Sequence, residues 1–322
     1  MKAIRVHYTA TDSSLQVDEV PKPEATGDLI VIKADAIGLN RADLGRRRTA
    51  QPGQPEPPTT PGLDVAGVVE AVGPDVRGWR IGETVTALAR GTYAEYVATR
   101  AVTAFRVPRR MSMADVASLP CVFLTAYYAL TKQMGVKRGD VVLIHAAGSG
   151  VGMAGIQIAR LLGAQVLTSA GSDGRVARGL KLGAIGGVNY SSQDVTAELL
   201  RLTQGRGVDC VLDSVGGPVF DATLKALAPG GRVVTVGGPA GARSPYEEAA
   251  LAAKGQWVRQ TSVFNEAQAD PEQKGWAQIK EWFESDRLQT IVQQVFPWSQ
   301  AEAAQKLLND RGVFGKIVML AP

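Results

Sequence analysis

The sequence predicts an α/β chain in which a parallel-sheet domain of βαβ units is inserted between two pieces of a β-rich domain. Three observations carry this reading. Residues 1–110 hold short runs dense in Ile and Val, separated by Gly and Pro. From Val141 onward, apolar runs of strand length alternate with helix-length segments that stop at glycine, the rhythm of strands and crossover helices around a parallel sheet. The tail, 265–322, abandons that rhythm. The length of 322 residues suits roughly two domains of about 150 residues each. The expected division is 1–122 with 265–322 for the β-rich domain, and 123–264 for the parallel-sheet domain.

The elements follow in order. Leu29–Ala34, Val65–Val72 and Thr84–Ala89 read as strands. Pro52–Pro61 carries five prolines and reads as a loop, because each proline lacks an N–H donor. Ser112–Leu119 reads as a helix capped by Ser112, and 122–134 as a second, apolar helix. Val141–Ala146, Gln165–Ala170, Val208–Asp213 and Arg232–Gly237 are expected strands. They alternate with helices at Gly150–Leu162, Arg175–Leu182 and Phe220–Leu227, the first two ended by Gly163 and Gly183. Trp257–Phe264 is expected to add a strand at the sheet edge. The tail supplies helices at Lys274–Ser285 and Ser299–Asn309 and a last strand, Gly315–Leu320.

Composition excludes several classes. Cys121, Cys210, His7 and His145 are the only cysteines and histidines. A structural zinc site needs four closely spaced thiolates or imidazoles, and two distant cysteines supply neither that nor a disulfide framework. Both cysteines sit in apolar runs and read as buried small residues; His7 reads as inert. The first residues show no apolar leader, and no run approaches a membrane span. A cytoplasmic protein is expected. Net charge is +4. Arg46-Arg47-Arg48 is either a solvated loop or a basic patch for phosphates, and nucleic acid is not the expected partner.

The chemistry-bearing motif follows the buried strand at 141. Gly150, Gly152 and Gly155 form G-x-G-x-x-G where a helix opens, the context in which the motif binds a dinucleotide. Gly150 permits the tight turn, Gly152 lets a pyrophosphate approach the backbone, and Gly155 lets the helix pack close to the sheet. The helix N-terminus then meets the anion. An NAD enzyme places an acid at the end of the second strand. Here that strand ends at Ala170-Gly171, and Asp173 lies beyond it, where it reads as an N-cap. Ser172 and Arg175 instead offer a hydroxyl and a guanidinium, which suit a 2′-phosphate. NADP(H) is therefore expected over NAD(H). His145, just before the glycine loop, reads as a structural residue or as a cofactor contact.

Taken together these residues resemble the medium-chain dehydrogenase/reductase superfamily, in its zinc-free quinone oxidoreductase (zeta-crystallin-like) branch. Asn40-Arg-Ala-Asp43 resembles that branch's Asn-x-x-Asp, which stands where zinc relatives place a catalytic cysteine. Pro61-Gly-Leu-Asp-Val-Ala-Gly67 carries Leu63-Asp64 where those relatives place His-Glu. Gly82-Glu-Thr-Val, Tyr93-Ala-Glu-Tyr96, Leu124-Thr-Ala-Tyr127, Asn189-Tyr190, Asp213-Ser-Val-Gly-Gly217, Val236-Gly-Gly238 and Phe314-Gly-Lys316 are similar to further family motifs in the family's order.

The resemblance implies a Rossmann nucleotide-binding domain and a GroES-like catalytic domain. It implies a zinc-independent NADPH-dependent oxidoreductase that delivers hydride to a quinone or an α,β-unsaturated carbonyl, and a homodimer through the Rossmann sheet edge at Trp257–Phe264. Asn40 is the candidate donor to the developing oxyanion, Thr125 a holder of nicotinamide or substrate, and Asp43 an orienting or capping residue. The cofactor is assigned Ser149, Gly150, Val151, Gly152, Gly155, Ser172, Arg175, Tyr190, Gly237, Gly238, Phe264 and Lys316; no metal is expected. Relatives often carry a pocket tyrosine after Asn-x-x-Asp. Leu44–Pro52 has none, which weakens the enzymatic alternative, an enoyl-thioester reductase. The other alternative is a non-enzymatic nucleic-acid-binding or crystallin-like protein.

Overall fold

Ile- and Val-dense runs put the first third of the chain into strands. The computed structural model describes residues 1–8, 12–45, 47, 58–237, 246–310 and 312–321. Strands β1 (Lys2–Tyr8) and β2 (Ser13–Glu19) pair as an antiparallel ribbon. They precede β3 (Leu29–Gly38), β4 (Asp64–Val72), β5 (Thr84–Leu88), β6 (Tyr96–Arg100) and β7 (Ala104–Arg106). The parallel region holds β8 (Val141–Ile144), β9 (Gln165–Ala170), β10 (Gly186–Asn189), β11 (Val208–Asp213), β12 (Leu227–Thr235) and β13 (Trp257–Gln260). The tail returns with β14 (Val292–Pro297) and β15 (Lys316–Leu320). These elements form two compact units, Met1–Cys121 with Ala267–Pro322, and Val122–Glu266.

In the first unit the sheet order is β14-β15-β3-β4-β5-β7, with β6 also on β3. β3 is buried along most of its length, and Ile30, Ile32, Val65, Val69, Val85 and Val97 interlock beneath it. Each such side chain contributes about 1.5–3 kcal/mol when fully buried. β15 comes from the far end of the chain and pairs antiparallel with β3, Val318 opposite Gly38. β4 flanks β3 on the other side, with Gly38 opposite Asp64. This register gathers residues around 40, 64 and 316 at one end of the sheet.

In the second unit the order is β10-β9-β8-β11-β12-β13, parallel throughout. Leu143, Leu167, Val188, Val211, Phe220 and Val233 form its core. The chain runs outward from β8 in one direction through β9 and β10, then restarts on the other side with β11. The crevice at that reversal, outside the carboxyl ends of the strands, is where such sheets bind ligands.

Several elements depart from expectation. The apolar helix begins at Pro120, with proline at its first position, ends at Tyr128 and closes in a π-helical turn over Ala129–Gln133. The helix expected from Phe220 begins at Gly217 and ends at Lys225, so β12 starts five residues before the expected Arg232. Trp257–Phe264 is a strand only to Gln260. Its partner β12 ends at Thr235, opposite Gln260, so the pairing stops there among the described residues, and Phe264 lies in a helix, Val263–Gln268. The ribbon β1–β2, strands β10 and β14, and the helix Val195–Leu202 are additional to the expected elements, although Ile4, Val6 and Tyr8 alternate with polar residues in β1 and Val195 and Leu199 share a helix face. Among the described residues no helix is long and apolar enough to cross a membrane.

Candidate active site

The glycine loop sits at the reversal point of the parallel sheet. Ala146 adopts a left-handed φ of 56°, a conformation costly for a residue with a Cβ. It thereby aims its carbonyl at the opening of the helix Gly150–Leu161. A Cβ on Gly152 would lie 2.0 Å from that oxygen, so only glycine fits. Gly155 packs against Ile144 and Leu212, where a Cβ would meet their methyls at 3.1 and 3.2 Å. Ser149 caps the helix, its Oγ accepting from Gly152 N–H at 2.9 Å. The amides of Gly150 and Val151 have no intrahelical acceptor and are partly exposed. They form a positive helix terminus open to an anion. At the neighbouring strand end, Ser214 Oγ is buried with no hydrogen-bond partner among the described residues, a polar atom that a cofactor could satisfy.

His145 plays no part in that opening. Its ring is buried, with Nδ1 2.6 Å from Ser169 Oγ and Nε2 3.0 Å from Thr223 Oγ1. Burial holds its pKa below the ordinary value, against the pull of Asp213. It is a neutral strut between strand and helix.

The carboxyl end of β9 forms a second opening. A Cβ on Gly171 would meet Tyr190 Cε2 at 3.1 Å and its hydroxyl at 3.3 Å, so the tyrosine ring lies across this glycine. Ser172 precedes the helix Asp173–Lys181 in extended conformation and caps nothing with its side chain. Arg175 lies in the first turn, half-buried. Among the described residues, Ser172 Oγ, the Arg175 guanidinium and the Tyr190 hydroxyl have no hydrogen-bond or ion-pair partner. Asp173 is different. It is the first helical residue rather than the cap expected from sequence, because its Oδ1 accepts from Asn189 Nδ2 at 2.8 Å. That bond turns the carboxylate toward β10.

Gly237 follows β12 with φ 71°. Gly238 lies outside the described residues. Phe264 is half-buried in its helix, and Thr125 is buried in the helix Pro120–Tyr128.

The first unit builds a closed polar cluster. Asn40 opens the short turn Arg41–Leu44, and its backbone N–H donates to Asp43 Oδ2 at 2.8 Å. Tyr93 donates its hydroxyl to the same oxygen at 3.2 Å. The Asn40 amide donates to Asp64 Oδ2 at 2.9 Å and to the Gly38 carbonyl at 3.3 Å. Its own oxygen accepts from Lys316 Nζ at 2.6 Å. Lys316 Nζ also reaches Asp64 Oδ2 at 3.1 Å, and Cys121 N–H donates to Asp64 Oδ1 at 2.7 Å. Lys316, Asp64 and Asp43 are 2%, 0% and 4% exposed, so this ion pair is shielded from water.

Two expectations change here. Both Asn40 amide hydrogens are engaged, so the side chain is a locked strut rather than a free donor. Lys316, assigned to the cofactor by resemblance, is committed to Asn40 and Asp64. Asp64 belongs to the site and was missed. The signal available was an acid at the start of the strand DVAGVVEAV, in the Leu63-Asp64 position where zinc relatives place His-Glu. Burial pushes the Asp43 carboxyl up to about 7, while the Asn40 backbone N–H and Lys316 oppose. Burial also raises Tyr93 well above its ordinary value.

Two further readings are revised. Cys210 is not in apolar surroundings: Arg232 Nη2 lies 2.9 Å from its Sγ and pairs with Asp140 at 2.7 Å. Burial still lifts the thiol to about 12. Of the arginine run, Arg46 and Arg48 lie outside the described residues. Arg47 donates to Ser13 Oγ and its carbonyl, to Glu302 and to Gln305, so it ties loop to scaffold.

Residues 26–109 match the family model of the alcohol dehydrogenase GroES-like domain, and 150–284 that of zinc-binding dehydrogenases. The quinone oxidoreductase of Sus scrofa is 30% identical over 327 aligned positions, covering 99% of this chain and 98% of its own. The chain belongs to the medium-chain dehydrogenase/reductase superfamily, in its quinone oxidoreductase branch. Two solved structures of this superfamily fold each cover 100% of both chains. One is an NAD-dependent alcohol dehydrogenase, at TM-score 0.86 and 32% identity. The other is a mycobacterial protein complexed with NADPH, at TM-score 0.91 and 30% identity.

Zinc members of the superfamily need thiolate, imidazole or carboxylate ligands. The donor set Asn40, Asp64 and Lys316 does not fit that ion, since an ammonium already sits against the lone carboxylate. Among the described residues, no three His, Cys, Asp or Glu side chains come together as a metal-binding group. A dinucleotide does fit: the Gly152 cradle, the open helix terminus and the unpartnered Ser214 hydroxyl face the reversal point of the sheet.

Proposed function

We propose that this protein is an NADPH-dependent, zinc-independent oxidoreductase that reduces a quinone or an α,β-unsaturated carbonyl. The observation that carries the cofactor choice is the group of unpartnered donors at the end of β9. Ser172, Arg175 and Tyr190 offer two hydroxyls and a guanidinium where an NAD enzyme offers a carboxylate. The bound dihydronicotinamide supplies the hydride. The amides of Gly150 and Val151 and the helix dipole hold the pyrophosphate, and Arg175 with Ser172 and Tyr190 holds the 2′-phosphate. Thr125 is the proposed holder of nicotinamide or substrate. Asn40, fixed by Lys316 and Asp64, shapes the polar end of the substrate unit.

The quinone class rests on the named relative and on the absence of a tyrosine in Leu44–Pro52. The deciding experiment is a panel of benzoquinones, naphthoquinones, enones and enoyl thioesters with NADPH and with NADH. Oxidation of NADPH by quinones or enones is expected. Turnover confined to thioesters would replace this reading with the enoyl-reductase alternative. β13 ends the parallel sheet with one edge unpaired among the described residues, and edge-to-edge pairing of two copies there is the proposed assembly. Sedimentation should show a dimer, and a monomer would refute it.

A further inference from the structure

The polar cluster of the first unit contains two buried carboxyls and one buried ammonium. Asp64 is fully served: Oδ1 takes Cys121 N–H, and Oδ2 takes the Asn40 amide and Lys316 Nζ. Asp43 is not. Its Oδ2 accepts from Asn40 N–H and Tyr93, while its Oδ1 is buried with no hydrogen-bond partner among the described residues.

An ionised carboxylate with one bare oxygen out of water is costly, and a neutral acid much less so. Lys316 can balance only one negative charge, and it lies on Asp64. The groups facing Asp43 are Asn40 on its own turn, Tyr93 before β6, Asp64 on β4 and Lys316 on β15. Among these the one cation is already paired. Charge balance therefore places a proton on Asp43, at the oxygen that lacks a partner.

We propose that Asp43 is a positioning residue that works as a neutral acid. With its proton in place the cluster is uncharged, and Asn40 stays locked between Asp64, Gly38 and Lys316. Loss of the proton leaves a net negative charge in the cluster, draws Lys316 from Asn40 and loosens the turn Arg41–Leu44. The link to turnover rests on the function proposed above; the protonation state does not.

The test uses the full protein without cofactor. Infrared difference spectra across pH should show a carboxylic-acid carbonyl band at acid to neutral pH that disappears with a midpoint near 7. Asp43→Asn should abolish the band. Tyr93→Phe removes a hydrogen bond that favours the carboxylate and should move the midpoint upward, which keeps the idea testable if Asp43→Asn does not fold. Stability gives the sign independently. The folded pKa lies above the ordinary 3.8, so the folded state binds the extra proton between those values, and stability should fall as pH rises from about 4 to about 7. Asp43→Asn should flatten that slope.

In turnover, wild-type kcat should drop severalfold above the midpoint with KM for the nucleotide unmoved, and Asp43→Asn should lack that drop. Absence of the band, or a band that persists in Asp43→Asn, overturns the protonation. A band that behaves as expected with a pH-independent kcat overturns the positioning role. Inactivity towards every quinone and enone would leave the infrared and stability outcomes to decide the protonation, and would refute the function alone.

Discussion

The two polar regions of this molecule are built on opposite principles. At the carboxyl ends of β8 and β9, hydrogen-bonding groups stand open: helix amides, a serine hydroxyl, a guanidinium and a phenol. At the end of β3, Asn40, Asp64 and Lys316 satisfy one another and leave little for a ligand. The open region is fitted to grip something that arrives. The closed region is fitted to hold a shape, with one buried cation set against Asp64.

The contrast is most easily broken through Lys316. Lys316→Met strands a buried Asp64 carboxylate, and removing one partner of a buried pair costs about 3–5 kcal/mol. The urea midpoint should fall accordingly. Adding Asp64→Leu should recover most of the loss, because replacing both partners is often neutral. If Lys316→Met alone is harmless, the cluster is not closed.

Gly152→Ala attacks the open region. Its Cβ would press on the Ala146 carbonyl at 2.0 Å, an overpacking cost of about 1–3 kcal/mol, and would displace the loop that faces the phosphates. Fluorescence titration should show NADPH and NADH binding weakened together, by at least about tenfold.

Arg175→Ala should sharpen the cofactor side of the comparison. Losing a charge-assisted hydrogen bond of about 1.5–3 kcal/mol should raise KM for NADPH roughly 10- to 100-fold and leave KM for NADH nearly unchanged. Equal effects on both would refute the 2′-phosphate role. The smallest effect belongs to Asp173→Ala. The carboxylate faces Asn189, so steady-state kinetics should show NADPH and NADH responding alike, by no more than about twofold.

What could be read in advance follows the same division. The nucleotide-binding unit is written in local signals. Gly150, Gly152 and Gly155 lie within six residues, β9 was placed residue for residue, and Ser172 and Arg175 adjoin its end. The α/β class follows from such signals, and the Rossmann-like and GroES-like parts follow from the family resemblance. The closed cluster is written across the chain. Asn40, Asp64 and Lys316 meet only because β15 returns to β3 in a register that no local pattern encodes. Local signals therefore point neither to Asp64 as a site residue nor to Lys316 as its partner. Asp173 failed for a related reason: a capping sequence cannot reveal that Asn189, on the next strand, claims the carboxylate.

Hydride transfer from NADPH at a site that needs no metal, as proposed above, can be tested in one measurement. After exhaustive chelation, with metal content checked, kcat/KM for NADPH and for NADH should be determined with a quinone acceptor. Undiminished turnover and a clear preference for NADPH are expected. Activity that vanishes on chelation and returns with zinc, or an equal or greater preference for NADH, would contradict it.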